Sequence, residues 1–248
     1  RLLLLLLILM GSGFSTTPLL TVTAFLLFAK TQMASGSYTG AVLFFHGLGD
    51  SGDGWRFLRR QYSDLDHVKF SFPTAPEQPV TCNMGYPSTS WFDIDRIPVT
   101  PSEPENPAGL VDSIAQVHGL IDKLEEEGIP AERVVLAGFS QGAVLSLQAG
   151  LTYPKKLAGI AALSGWLARK SDIAGLVTDS NKSTPILICH GTQDDKVLFE
   201  LGQDAVSKLE EVGHSVTFNE YRMGHSSCPE ELDHLKGFLE SVLPRAAN

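Results

Sequence analysis

A hydroxyl, an imidazole and a carboxylate in hydrogen-bonded line can cleave an acyl bond, and three stretches of this chain offer those groups just after apolar runs. Gly138-Phe139-Ser140-Gln141-Gly142 is a G-x-S-x-G pentapeptide between the apolar run Val134 to Ala137 and the helix-like stretch Ala143 to Leu151. Ser140 is therefore expected on a strained strand-to-helix turn, its hydroxyl lifted above a sheet. A serine hydroxyl is a poor nucleophile near neutral pH, so it needs a base, and the base needs an acid to hold its tautomer. The chain order expected on such a sheet is Ser, then Asp or Glu, then His. Asp194 and Asp195 follow the apolar run Pro185 to Cys189, and His225 follows the last apolar stretch, in Met223-Gly224-His225-Ser226-Ser227. Of the seven histidines, His118 and His234 flank apolar helix positions, His67 and His214 precede strands, and His46 and His190 open His-Gly turns suited to ring-to-backbone hydrogen bonds. His225 alone lies downstream of the acid on a post-strand loop. Between Asp194 and Asp195 sequence physics does not choose, because adjacent loop residues point differently.

An acyl-transfer site also needs donors for the oxyanion. His46-Gly47-Leu48-Gly49-Asp50-Ser51-Gly52 follows the run Ala41 to Phe45, and its glycines let backbone N–H groups point inward, with Leu48 the candidate donor. The same loop spells G-x-G-x-x-G, the phosphate-binding pattern of dinucleotide folds. That reading fails because the next strand, Val68 to Phe72, ends in Pro73 where a ribose-binding acid is required, and Asp50 would face the pyrophosphate. His225-Ser226-Ser227-Cys228 is likewise not read as a metal pair or a Cys-His couple. Zinc needs three or four ligands, and a cysteine three residues from its base would not reach a strand-end oxyanion hole. No cofactor is expected.

The elements that must position these groups are short apolar runs alternating with helical periodicity. Ala41 to Phe45, Val68 to Phe72, Val134 to Ala137, Gly159 to Leu163, Pro185 to Cys189 and Val216 to Tyr221 read as strands, mostly buried on both faces. Leu110, Ile114, Val117, Ile121 and Leu124 mark a helix opened by Asn106-Pro107 and stopped by Gly128 and Pro130; further helices run from Leu201 to Val212 and from Pro229 to Leu243. This alternation predicts an α/β fold with a mostly parallel central sheet and helices on both faces. Sites on such sheets lie at the strands' carboxyl ends, where every candidate motif falls.

Residues 73–107 hold eight of the fourteen prolines, so regular helix or central strand is not expected there. A loop of this length is uncommon unless functional, and Met84, Tyr86, Trp91 and Phe92 within it are expected to wall a substrate groove beneath a lid. At 248 residues, 43% of them hydrophobic, the chain can bury one sizeable core, expected over residues 37–248. Its formal charge of -9, with no cationic cluster, disfavours nucleic acid and anionic membrane surfaces as partners. Three scattered cysteines suit a reducing compartment, hence the cytoplasm. Residues 1–36 oppose that placement: Arg1, Leu2 to Leu9 and a second apolar stretch from Leu19 to Phe28 look like a signal or membrane anchor. The alternative is a segment foreign to the mature protein, since Met33 stands just before the first strand.

Six motifs in order give the chain a resemblance to a known family. They are His46 to Gly52, Pro79-Val80-Thr81 with Asn83-Met84, Ser90-Trp91-Phe92-Asp93-Ile94, the Ser140 pentapeptide, His190-Gly191 with Asp194, and His225 to Cys228. Together they resemble the acyl-protein thioesterase and lysophospholipase-like carboxylesterases of the α/β-hydrolase fold. The resemblance implies a triad of Ser140, Asp194 and His225, which selects Asp194 over Asp195, and an oxyanion hole of the Leu48 and Gln141 backbone N–H groups. It further implies S-acylated proteins, lysophospholipids or small acyl esters as substrates. Two departures stand out: Asp195-Lys196 follows Asp194 where relatives usually carry proline, and Gly85 to Thr89 differs from the methionine-rich lid of animal members. Some plant relatives with altered lids resemble short-chain deacetylases, so a short-chain esterase is the alternative, and a slow-turnover receptor on the same fold is a third.

Overall fold

The computed structural model describes residues 38–245. The hydrophobic segment read over residues 1–36 lies outside the described residues. Six strands form one sheet in the order β2-β1-β5-β6-β7-β8, and every neighbouring pair is parallel. They are β1 (Gly40–Phe45), β2 (Val68–Ser71), β5 (Val134–Phe139), β6 (Gly159–Leu163), β7 (Ile186–Gly191) and β8 (Val216–Tyr221). Parallel neighbours need crossover segments, and these contain the helices α1 (Phe57–Gln61), α2 (Leu110–Glu126), α3 (Gln141–Thr152), α4 (Ile173–Leu176) and α5 (Phe199–Glu211), while α6 (Pro229–Val242) follows the last strand.

The apolar runs are continuous because both faces of the sheet are covered, and alternate residues serve different layers. In β1, Ala41, Leu43 and Phe45 pack in one cluster with Leu110, Ile114, Val117 and Ile121 of α2 and Val144 and Leu145 of α3. Val42 and Phe44 join the opposite cluster with Leu58 of α1 and Leu232, Leu235 and Leu239 of α6. A third cluster seats α5, through Ala205 and Leu209, against Ile160, Ile186 and Ile188. A central strand such as β5 therefore has no solvated side, and truncating its one leucine, Leu136, to alanine would cost about 2–5 kcal/mol.

Two expectations change. Helix α2 begins at Leu110, not at Asn106-Pro107, because Gly109 stands at φ 87° ahead of it and the Leu110 N–H closes a turn onto the Pro107 carbonyl. Residues 73–107 are not wholly without strands: β3 (Glu77–Pro79) and β4 (Pro87–Thr89) form an antiparallel hairpin. Prolines are tolerated there because Pro79 pairs with Pro87 at its end, outside the main sheet.

Candidate active site

Ser140 sits between β5 and α3 at φ 56°, ψ -119°, a strained backbone for a side chain larger than glycine. The flanking glycines make this turn possible. A Cβ on Gly142 would stand 2.0 Å from the Phe45 carbonyl oxygen, and one on Gly138 would stand 2.3 Å from that of Gly142. The elbow is thus wedged against the end of β1, and Ser140 donates its own N–H to Leu163 O at the end of β6 (2.8 Å).

His225, in the loop after β8, places Nε2 2.9 Å from Ser140 Oγ and Nδ1 2.7 Å from Asp194 Oδ2. A carboxylate only accepts, so Nδ1 carries the proton and Nε2 is free to accept the serine hydroxyl. Asp194 follows β7 with its side chain fully enclosed. Its Oδ1 accepts the N–H groups of Lys196 and Val197, both at 2.9 Å. His190 Nε2 donates to Val197 O at 2.9 Å and lies 3.5 Å from Asp194 Oδ2. Burial alone would raise the Asp194 pKa; the hydrogen bonds from His190, His225 and the Val197 and Lys196 N–H groups outweigh it and hold the carboxyl well below the usual range. Asp195, its neighbour, is exposed and among the described residues reaches only Lys196.

The backbone N–H groups of Leu48 and Gln141, beside Ser140, are uncommitted among the described residues. Leu48 N–H meets no acceptor, whereas Gly49 N–H is taken by Thr89 O and Asp50 N–H by Gly47 O. Gln141 N–H is the first of α3, where no preceding helical carbonyl exists to receive it. The Gln141 side chain is wholly occupied elsewhere. Its Oε1 accepts Trp91 N–H at 2.9 Å, and its Nε2 donates to Ser90 Oγ at 2.9 Å and Phe92 O at 2.5 Å.

A cleft of about 360 Å³ opens over Ser140, lined by Leu48, Trp55, Phe57, Phe139, Ile94, Ile97, Val99, Trp166 and Val197, with Asp50 and Lys196 the charged residues on its wall. The four side chains expected to wall this groove do not line it. Met84 and Tyr86 stand 85% and 63% exposed at the hairpin tip, where Met84 (φ 55°) and Gly85 (φ 77°) turn the chain out of the cleft. Trp91 and Phe92 err the other way and are buried. The Trp91 indole donates to His46 O, and Phe92 packs edge-on against Trp166. They pin the lid to the core. Of the lining residues that sequence reasoning missed, Phe139 is the variable position of the pentapeptide itself, and Trp166 follows β6, so the strand-end rule could have found both.

A nucleophile, base and acid in line beside uncommitted N–H donors are the parts of an acyl-transfer site. The phospholipase/carboxylesterase family model matches residues 28–243. The chain belongs to that family. It is a serine hydrolase with the α/β-hydrolase fold. Among similar members, acyl-protein thioesterase 1 of Neurospora crassa is 43% identical over 226 residues, covering 87% of this chain and 91% of the relative. Carboxylesterase SOBER1 of Arabidopsis thaliana is 40% identical over 205 residues, covering 82% and 90%. The crystal structure of that Arabidopsis protein superposes with a TM-score of 0.79 at 39% identity, covering 82% of this chain and 99% of its own. Zea mays acyl-protein thioesterase 2 follows the same course at 0.71 and 30% identity, covering 84% and 96%. This serine hydrolase thus shares its scaffold with relatives named for thioester and for ester cleavage.

Proposed function

We propose that this carboxylesterase-family hydrolase removes S-linked fatty acyl groups from proteins, with Ser140 as nucleophile, His225 as general base and acid, Asp194 as its orienting carboxylate, and the Leu48 and Gln141 N–H groups as oxyanion donors. The observation that carries this reading is the Ser140–His225–Asp194 line, 2.9 Å and 2.7 Å long, opening into an apolar cleft. His225 Nε2 takes the Ser140 proton as Oγ attacks the acyl carbonyl, and the oxyanion forms against the two donors, each worth about 3 kcal/mol. Collapse expels the thiolate, which takes the proton from His225. A thiol pKa near about 8.5 makes that departure easy, so hydrolysis of the acyl-serine by water, with His225 again as base, is the slower half. The free thiols of Cys82, Cys189 and Cys228 support a reducing, cytosolic setting, where S-acylated proteins present their thioesters. Among the described residues no helix is long and apolar enough to cross a membrane.

One feature favours a second reading, a short-chain esterase. Val99 and Val197, both buried, form an isolated parallel bridge along the cleft wall, with Val99 N–H on Lys196 O at 2.7 Å, and Ile97 stands beside them. A wall fixed there would stop a long chain. The test is kcat/KM of the full chain over thioesters and oxygen esters from acetyl to hexadecanoyl. Each admitted methylene is worth up to about 0.8 kcal/mol, so activity should climb with chain length until the cleft is filled. Ser140→Ala should abolish all of it. Ile97→Ala should shift the preferred length, and Tyr86→Ala should not. A maximum at acetyl in the parent protein would give the short-chain reading the place of the first.

A further inference from the structure

The oxyanion loop contains a histidine that the triad does not use. His46 is fully buried at the end of β1, and its ring is held at both nitrogens by backbone groups. Ala75 N–H donates to Nε2 at 3.0 Å, so Nε2 must be the bare nitrogen. The proton therefore sits on Nδ1, which lies 2.6 Å from the carbonyl oxygen of Gly47 and donates to it. Asp50 N–H adds a second, longer bond to the same oxygen at 3.3 Å. The residue is clamped a third time where its own carbonyl accepts the Trp91 indole N–H at 3.0 Å.

The Gly47 carbonyl and the Leu48 N–H belong to one planar trans peptide unit, so they point in opposite directions. Fixing the carbonyl on the His46 side fixes the N–H on the other. Leu48 lines the cleft with Ser140, and its N–H has no acceptor among the described residues. The hold on Gly47 O is the direct restraint on the tilt of that peptide plane; the loop is further tied by Gly49 N–H on Thr89 O, and Gly49 itself has φ 77°. Gly47 offers no resistance of its own, and a Cβ there would press on Ser140 Cβ at 3.1 Å. We propose that His46 is a positioning residue for catalysis: as the Nδ1-protonated neutral tautomer it holds the Gly47–Leu48 peptide plane so that the Leu48 N–H is aimed at the oxyanion. This rests on the reading of Leu48 as an oxyanion donor. Burial lowers the His46 pKa against the raising pull of the Gly47 carbonyl and Asp50, which keeps the ring neutral and the Ala75 bond intact.

The two nitrogens can be tested separately. In His46→Asn the amide N–H₂ falls where Nδ1 was and can still donate to Gly47 O; in His46→Gln the amide oxygen falls where Nε2 was and can still accept from Ala75, while the Nδ1 donor is lost. Rates are taken per active site titrated with a fluorophosphonate, with melting temperatures alongside. His46→Gln is expected to lose about 10- to 100-fold in kcat with KM within about twofold, somewhat less than the about 10²–10³ for removing an oxyanion donor outright. His46→Asn should stay within about threefold of the parent. Equal losses in both variants, or a loss confined to KM, would overturn the proposal. If neither variant folds, long-range ¹H–¹⁵N spectra of the parent protein decide: Nδ1–H at neutral pH is required, and Nε2–H or an imidazolium overturns it. Leu48→Pro, which removes the N–H itself, keeps the two ideas apart. Unaltered kcat there would sink the oxyanion reading, whereas a loss there with none in His46→Gln would sink the role of His46 alone.

Discussion

Asp194 and Asp195 show how far one position along a chain can change the chemistry of a carboxylate. Asp194 collects the His225 ring and two backbone N–H groups in an enclosed site, whereas Asp195 faces water beside Lys196. Removing the charge from Asp194 leaves the same shape but permits the wrong His225 tautomer, because an amide can offer a donor to Nδ1. Asp194→Asn should therefore lower kcat by about 10³–10⁴-fold with the fold intact, while Asp195→Asn should change it by less than about twofold; steady-state kinetics on the two variants check this. The residue types and their order were legible in the sequence. The choice between the neighbours was not, because it depends on the turn in which Lys196 and Val197 direct both their N–H groups at one oxygen.

Among the elements, the β5-to-α3 turn tolerates little change of sequence. Its helix begins against the end of β1, and a methyl on Gly142 would overlap backbone that has no flexible end to move aside. Gly142→Ala should destabilise the fold by about 1–3 kcal/mol or more and lower kcat with it, seen as a reduced melting temperature and a smaller titratable fraction; an unshifted melting curve would refute the wedge. The four central strands could be read from apolar runs because both their faces are buried, whereas the edge strands β2 and β8 are partly exposed and carry polar residues such as Lys69, Asn219 and Glu220. The lid could not be read in the same way. Apolar residue type says that a side chain prefers cover, but Met84 and Tyr86 sit at a hairpin tip whose left-handed residues point them outward, and Trp91 and Phe92 are committed inward through Gln141, His46 and Trp166. Those contacts join segments far apart in the chain, 45 residues for Trp91 and His46 and 50 for Trp91 and Gln141, and leave no local periodicity.

For the molecule as a whole, pH acts through buried carboxyl groups of opposite tendency. Glu231, in the first turn of α6, is fully buried, and neither of its side-chain oxygens has a hydrogen-bond partner among the described residues. Tyr62, Cys189 and Tyr221 feel its charge, and desolvation pushes its pKa up to about 8 from 4.5. Between those values the folded chain keeps a proton that the unfolded chain releases, so this group's contribution falls as pH rises through that window. Asp194 has the opposite sign: its depressed pKa contributes stability above the ordinary carboxyl range, and that contribution is lost as pH falls through and below it. Glu231→Gln should therefore gain on the parent protein as pH rises from 5 to 8, by a few kcal/mol and on the order of 5–10 °C in melting temperature; a difference independent of pH would count against a neutral buried acid. Glutamate at this place in the sequence reads as an ordinary acidic residue at a helix start, so nothing local announces its burial.

His225, the base we propose, follows β8, one of the two edge strands of the sheet, which among the described residues pairs there with β7 alone. Rim strands open in local, sub-global fluctuations more readily than central ones. An opening of β8 would carry His225 away from Ser140 and Asp194 without requiring β1, β5 and β6 to part. The proposed activity is thus tied to the rim of the sheet rather than to its centre, so a local opening there, well short of unfolding, would be enough to separate base from nucleophile.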